Sequence, residues 1–62
     1  MLSRTERYEM QQLLAQRGFY RGEPDGTLGS ETRKALRSFQ AAAGLPADGF
    51  ASSGVLERLR GR

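Results

Sequence analysis

The chain has 62 residues, of which ten are basic and seven acidic, and its net charge is +3. A chain this short forms one small domain and has no room for a deep cofactor cavity beside its core. Cysteine and histidine are both absent, which excludes zinc sites, thiol catalysis and Ser-His-Asp chemistry. We therefore predict a binding domain with no catalytic residue, no metal and no cofactor.

The charge balance is compatible with a nucleic acid, an anionic lipid surface or an acidic polymer as partner. No apolar run approaches the roughly 18–20 residues that would span a bilayer, so we predict no membrane span. The first ten residues lack the apolar segment of a signal peptide. If the domain works outside the cytoplasm, its export signal is expected in a part of the parent protein that is absent here.

The first predicted helix covers residues 4–17. Ser3 and Glu6 have the spacing of a capping box, in which each side chain accepts a hydrogen bond from the other's backbone N–H. Met10, Leu13 and Leu14 share one face at helical spacing. Gly18 suits the left-handed residue that ends many helices.

The segment YRGEPDGTLG at residues 20–29 has turn chemistry and no periodicity, which predicts an ordered loop. A second helix is predicted over residues 31–43, and Gly44 is its left-handed end. Its expected inner face consists of Thr32, Ala35, Leu36, Phe39, Ala42 and Ala43. A second loop, GLPADGF, leads into a third helix over residues 53–60, capped by Ser52 or Ser53.

An internal repeat relates the two loops. DGTLGSETRKAL at residues 25–36 aligns with DGFASSGVLERL at residues 48–59, and each copy contains an Asp-Gly turn, a capping segment and a helix. Two such units packed on helix 1 predict an all-α fold, a small monomeric three-helix bundle with two ordered Asp-Gly loops. Arg58, Arg60 and Arg62 are expected to form a solvated tail.

Motifs along nearly the whole chain, from about residue 8 to residue 59, resemble the peptidoglycan-binding domain family. They are Met10-Gln11, Leu13-Leu14, Gly18-Phe19-Tyr20, the DGTLG loop at residues 25–29, Thr32, Ala35-Leu36, Phe39-Gln40, Gly44-Leu45 and Asp48-Gly49. The opening LSRTER and the ending VLERLRGR are also similar to the C-terminal module of lytic murein transglycosylases. The resemblance implies a periplasmic or cell-envelope module that binds peptidoglycan and targets an attached wall-lytic enzyme to it.

The second copy departs from the family pattern at Ala51, Ser52 and Val55, so ligand contacts are expected around the first loop and helix 2. Arginine forks pair well with carboxylates, in which peptidoglycan stem peptides are rich, and an exposed tyrosine ring can contact a sugar. The candidate ligand-binding residues are Tyr20, Arg21, Asp25, Arg33, Arg37 and Gln40.

Several of these residues also have structural interpretations. Gln11 and Gln40 could each hold the backbone of a loop through a side-chain amide, and Asp25 and Asp48 are typical turn-formers. Stem peptide and glycan both remain open as ligands, and the catalytic domain of the parent enzyme is a further expected partner.

Two other functions compete with peptidoglycan binding. A small basic helical domain could bind nucleic acid, but about ten residues separate helices 1 and 2, whereas a helix-turn-helix uses three or four. A protein-interaction or pro-domain role, docking on its own enzyme, is the second alternative. The preferred prediction is a peptidoglycan-binding module that does not bind nucleic acid.

Overall fold

The structure, a computed structural model, describes residues 2–61. Within that range the chain forms three α-helices and no β-strand: α1 (Arg4–Gln16), α2 (Ser30–Ala42) and α3 (Ser53–Arg60). The predicted all-α, three-helix architecture is confirmed. None of the helices in residues 2–61 is long and apolar enough to cross a membrane.

Local signals in the sequence fix where the helices begin and end. At the start of α1, Ser3 N–H donates to Glu6 Oε1 (2.9 Å) and Glu6 N–H donates to Ser3 Oγ (3.1 Å), which is the predicted capping box. Ser52 caps α3 by accepting from Val55 N–H. Gly18 and Gly44 adopt the predicted positive φ angles, 83° and 75°. α1 and α2 each end one residue before the predicted bound, and α2 begins one residue earlier.

The core lies between all three helices and includes one residue from the N-terminal segment. Its buried apolar members are Leu2, Met10, Leu14, Ala35, Leu36, Phe39, Val55, Leu56 and Leu59. Phe39, at 4% exposure, contacts the Phe19 ring edge to face, with centroids 5.8 Å apart. The Arg17 guanidinium lies 5.6 Å from the Phe39 ring centroid. One aromatic side chain of α2 therefore joins the end of α1 to the body of the domain.

One expectation about the inner face of α2 is wrong. Ala42 is exposed rather than part of the inner face of α2. At about 100° per residue, Ala42 lies roughly 60° from Phe39 on the side away from Leu36, at the border of the apolar face. Ala43 lies on the same side of Phe39 as Leu36. The apolar face of α2 therefore continues through the half-buried Ala43.

Two of the C-terminal arginines, Arg58 and Arg60, lie within α3 and do not form the expected frayed tail. Arg60 donates two hydrogen bonds of 2.7 Å to the carboxylate of Glu9, and Arg58 Nη2 donates to Ala43 O (2.9 Å). These contacts join α3 to α1 and to the end of α2, which sequence spacing does not reveal. Arg62 lies outside the described residues.

Candidate functional site

The first Asp-Gly loop is held by one buried amide from α1. Gln11 is 0% exposed. Its Oε1 accepts from the backbone N–H groups of Asp25 (2.9 Å) and Gly26 (2.8 Å). Its Nε2 donates to Asp25 Oδ1 (3.2 Å), Thr27 O (2.9 Å) and Thr32 Oγ1 (2.9 Å). Gln11 therefore connects α1, the loop and the first turn of α2, which supports the structural interpretation of this residue.

The second loop repeats this arrangement with fewer contacts. Gln40 Oε1 accepts from Gly49 N–H (2.8 Å), and its Nε2 donates to Asp48 Oδ1 (3.0 Å) and, at 3.5 Å, to Phe50 O. Val55 occupies the position that corresponds to Thr32 in the repeat, so no hydroxyl is available there. Each Asp-Gly turn of the repeat is thus bound by a buried glutamine that lies outside the repeat, an arrangement that we call the amide clamp.

The aspartate of each clamp is a turn-former. Asp25 accepts from Thr27 N–H and Asp48 from Phe50 N–H, both at 2.9 Å. These backbone N–H groups, followed by the glutamine amides, lower the pKa of each carboxyl below its ordinary value. Ionised Asp25 and Asp48 therefore stabilise the folded loops.

Arginine stems pack against the glycine of each clamp. Gly26 and Gly49 are buried and have φ angles of 79° and 72°. A Cβ on Gly26 would lie 2.8 Å from Arg4 Cγ, and one on Gly49 would lie 3.2 Å from Arg37 Cγ. The positive φ favours glycine at both positions, and the close Arg4 side chain adds a steric reason at Gly26.

Between the two loops and the start of α1 lies an open groove of about 540 Å³, which we call the interloop groove. The groove contains both clamp glycines and three cations, Arg4, Arg7 and Arg33. Its apolar lining comes from Leu2, Leu28, Phe50 and Ala51. No Asp or Glu of residues 2–61 lines it. The interloop groove is therefore partly apolar and cationic.

The three arginines of the groove are held by backbone carbonyls. Arg7 donates from Nε to Gly26 O (2.8 Å) and from Nη1 to Leu2 O (2.9 Å). Arg33 Nη1 donates to Leu28 O (3.2 Å), and Arg4 Nη2 is 3.4 Å from Asp25 O. Within residues 2–61 none of the three forms an ion pair with a carboxylate. Arg4 interacts electrostatically with the Asp25 carboxylate, so its charge is partly offset, and all three arginines line the groove.

The candidate residues do not form one site. Arg33 lines the interloop groove, and the exposed Arg37 lies over Gly49 at its edge. Tyr20 and Arg21 line a separate hollow of about 330 Å³, the Tyr20 hollow, which also includes Glu31 and Lys34. Tyr20 is half-buried, and its hydroxyl donates to Glu23 O (3.2 Å). Asp25 and Gln40 belong to the amide clamps.

Among the groove residues, sequence reasoning named only Arg33 as a candidate; the side chains that it missed include Leu2, Arg4, Arg7 and Phe50. Phe50 is 69% exposed, unusual for a large aromatic side chain in so small a domain. Its position directly after the second Asp-Gly turn was a usable signal, as was Leu2 directly before the capping box, where an apolar residue often packs. Nothing in the sequence indicated Arg4 and Arg7, because they reach the groove only through the packing of α1 on the first loop.

The chain has neither cysteine nor histidine, and no group of three or more potential metal-ligating side chains occurs among residues 2–61. Fold and groove together define a small all-helical domain with a cationic surface groove.

Comparison with known proteins identifies the family. Residues 3–59 match the model of the family described as "Putative peptidoglycan binding domain". The chain therefore belongs to the peptidoglycan-binding domain family, as its sequence motifs predicted.

The relatives of this chain are longer proteins. It is 45% identical over 51 residues to the spore cortex-lytic enzyme of Bacillus cereus, covering 82% of this chain and 20% of that protein. It is 42% identical over 52 residues to the "Putative OxPP cycle protein OpcA" of Synechococcus elongatus, covering 84% and 12%. SltB3 of Pseudomonas aeruginosa, solved in complex with NAG-anhNAM-pentapeptide, matches 97% of this chain with a TM-score of 0.92 and 48% identity. This chain covers 16% of SltB3, so it spans a fifth or less of each of these relatives.

Proposed function

We propose that this domain binds peptidoglycan in the cell envelope and holds an attached wall-lytic enzyme on its substrate, without catalysing a reaction itself. Such tethering raises the effective concentration of a separate active site near the glycan. The proposal is supported by membership of the family and by two relatives, a spore cortex-lytic enzyme and SltB3. The name of the cyanobacterial relative does not indicate a wall protein, so the role needs a direct test.

The observation that carries the proposal is the character of the interloop groove. Hydrolysis of a glycosidic bond ordinarily uses two carboxyl groups on either side of it, and none of the described residues that line the groove is acidic. Three arginines instead favour an anionic ligand, and peptidoglycan stem peptides carry carboxylates. The amide clamps support both loops in advance of binding, which lowers the entropy lost on association.

The candidate residues fall into two groups whose part in binding can be tested separately. Arg33 and Arg37 belong to the interloop groove or its edge, whereas Tyr20 and Arg21 belong to the Tyr20 hollow. A ligand that bridged both groups would pass over α2. Asp25 and Gln40 contribute by holding the loops rather than through free polar groups.

Co-sedimentation with purified peptidoglycan sacculi tests the function. We expect the domain to pellet with sacculi, to bind more weakly as salt is raised, and to release no soluble muropeptide from them. A duplex DNA gel-shift in the same buffer is the comparison for the nucleic-acid alternative, and binding to an isolated wall-lytic catalytic domain is the comparison for the docking alternative. Stronger binding to either comparison partner, or release of muropeptides by the domain alone, contradicts the proposal.

A fusion experiment tests the targeting step. A wall-lytic catalytic domain is compared with and without this domain attached. We expect attachment to accelerate clearing of intact sacculi and to leave the rate on a small soluble muropeptide unchanged. Equal acceleration on both substrates would indicate an effect on catalysis instead of tethering.

A further inference from the structure

We propose that the interloop groove recognises the peptide part of its ligand, specifically a short peptide with at least two free carboxylates, rather than the glycan. This inference rests on the proposed function and specifies the chemical group that is bound. Arg4 and Arg33 are its principal charged contacts, and Arg7 supports the wall between them.

Charge complementarity is the first argument. Arg4, Arg7 and Arg33 line one groove with no acidic side chain among its described lining residues. The nearby Asp25 carboxylate is hydrogen-bonded by Gln11 and by Thr27 N–H, remains ionised, and offsets part of the charge of Arg4. Guanidinium has five N–H donors, and Arg4 and Arg33 each use one on a backbone carbonyl. Each therefore retains donors for a carboxylate, which it can bind in a two-pronged fashion.

The acceptors in the groove argue against a neutral sugar. Sugar hydroxyls need acceptors as well as donors, and among the described lining residues Thr27 alone has a side-chain acceptor. The carbonyls of Leu2, Gly26 and Leu28 already accept from arginines. The groove therefore presents donors in excess, which suits carboxylates.

The apolar lining fits the remainder of a short peptide. Phe50 and Leu28 lie on the same groove as the guanidinium groups. An aliphatic side chain between two carboxylates could cover part of the exposed Phe50 ring while both ends meet arginines. An extended nucleic acid would need cations spaced along a longer track, whereas these three are confined to about 540 Å³.

The test is calorimetric titration of the intact chain with three soluble probes. They are NAG-anhNAM-pentapeptide, the same compound with its carboxylates converted to amides, and a NAG oligosaccharide that carries no carboxylate. We expect measurable affinity for the first and roughly ten- to twentyfold weaker affinity for the other two, because two exposed charge contacts are lost at about three- to fivefold each.

Matched variants locate the contact. R4Q and R33Q remove groove cations, and R21Q removes the same charge from the Tyr20 hollow. Arg4 and Arg33 are exposed and make one side-chain hydrogen bond each, and circular dichroism checks that each variant is folded. We expect R4Q and R33Q each to weaken binding about three- to fivefold, and R21Q to stay within about twofold.

The outcomes separate this inference from the proposed function. If sacculi are bound but the amidated or neutral probe binds as well as the carboxylated one, the inference is overturned while the function stands. A larger loss in R21Q than in R33Q also overturns it and favours the Tyr20 hollow, and displacement of the pentapeptide compound by equimolar duplex DNA rejects it as well. Absence of binding to both sacculi and soluble probe would contradict the function and the inference together.

Discussion

The two amide clamps contain the same types of residue but differ in the number and reach of their hydrogen bonds. Gln11 reaches an aspartate 14 residues away and makes five hydrogen-bonding contacts, four to the first loop and one to Thr32 on α2. Gln40 reaches an aspartate only eight residues away and makes three, one of them at 3.5 Å. The first clamp therefore joins distant segments, whereas the second closes a local turn. The same short motif can thus connect distant segments in one copy and stabilise mainly a local turn in the other.

Loss of the core side chain that lies between the two clamps should have the largest effect on stability. Phe39 lies on α2 between the two clamps and contacts Phe19 and Arg17. Phe39→Ala should cost about 3–5 kcal/mol, against a total stability of roughly 3–9 kcal/mol for a domain of this size. Circular dichroism during thermal melting should show a largely unfolded variant, and a cooperatively melting variant near the wild-type temperature would contradict the core assignment.

Substitution of the two glutamines tests the comparison directly. Gln11→Met should cost about 3–4 kcal/mol, because it leaves the buried N–H of Gly26 and other groups without partners, and Gln40→Met should cost about 2 kcal/mol. Urea unfolding measures both under the same conditions. An equal or larger loss for Gln40→Met would mean that the extra contacts of the first clamp contribute nothing.

Alanine substitution at the clamp glycines should reduce stability less than substitution of the glutamines. The loss should again be larger in the first clamp than in the second. Both positions have positive φ, which costs a non-glycine residue about 1–2 kcal/mol. Gly26→Ala should exceed Gly49→Ala because its Cβ would approach Arg4 Cγ at 2.8 Å, compared with 3.2 Å to Arg37 Cγ. Gly29→Ala is a matched control, since a Cβ there meets nothing within 4 Å. Differential scanning calorimetry that ranks Gly29→Ala as the most destabilising would refute this interpretation.

The smallest expected effect is the response to acid. The pKa values of Asp25 and Asp48 are lower in the folded state than the ordinary 3.8. Their contribution to stability is therefore complete above that pH and is lost as pH falls through the folded values. Melting temperature should drop below about pH 4, and the drop should be shallower in the D25N/D48N double variant. Identical acid profiles for the two proteins would show that other carboxyl groups dominate.

Much of the fold could be predicted because its signals are local. The capping box at Ser3, the glycine ends at Gly18 and Gly44, and the Asp-Gly repeat each depend on residues close together in the chain. The structural interpretation of Gln11 and Gln40 followed from the donors and acceptors of a side-chain amide, because both residues lie outside the repeat. By contrast, Ala42 was assigned to the wrong side of α2 because it lies near the border of the apolar face, where spacing discriminates poorly.

The groove could not be predicted because it joins distant segments. Its cations come from α1 and α2, and its apolar lining includes Leu2 near one end of the chain and Phe50 near the other. Of the six candidate residues, Arg33 alone lines it, and the others were chosen because they belong to the first loop or to α2. Packing of α1 on that loop, which brings Arg4 and Arg7 into the groove, has no signature in local sequence.

The most direct measurement is an amide NMR titration of the domain with a soluble peptidoglycan fragment, NAG-anhNAM-pentapeptide. Because the central claim is that peptidoglycan binds between the two clamped loops, the perturbed amides should cluster at residues 26–29 and 49–51 and at the start of α1. Their chemical shifts should change together and fit one dissociation constant. The same shift changes should be smaller in R33Q. Perturbations confined to Tyr20, Arg21 and Lys34, or to α3, would contradict the claim.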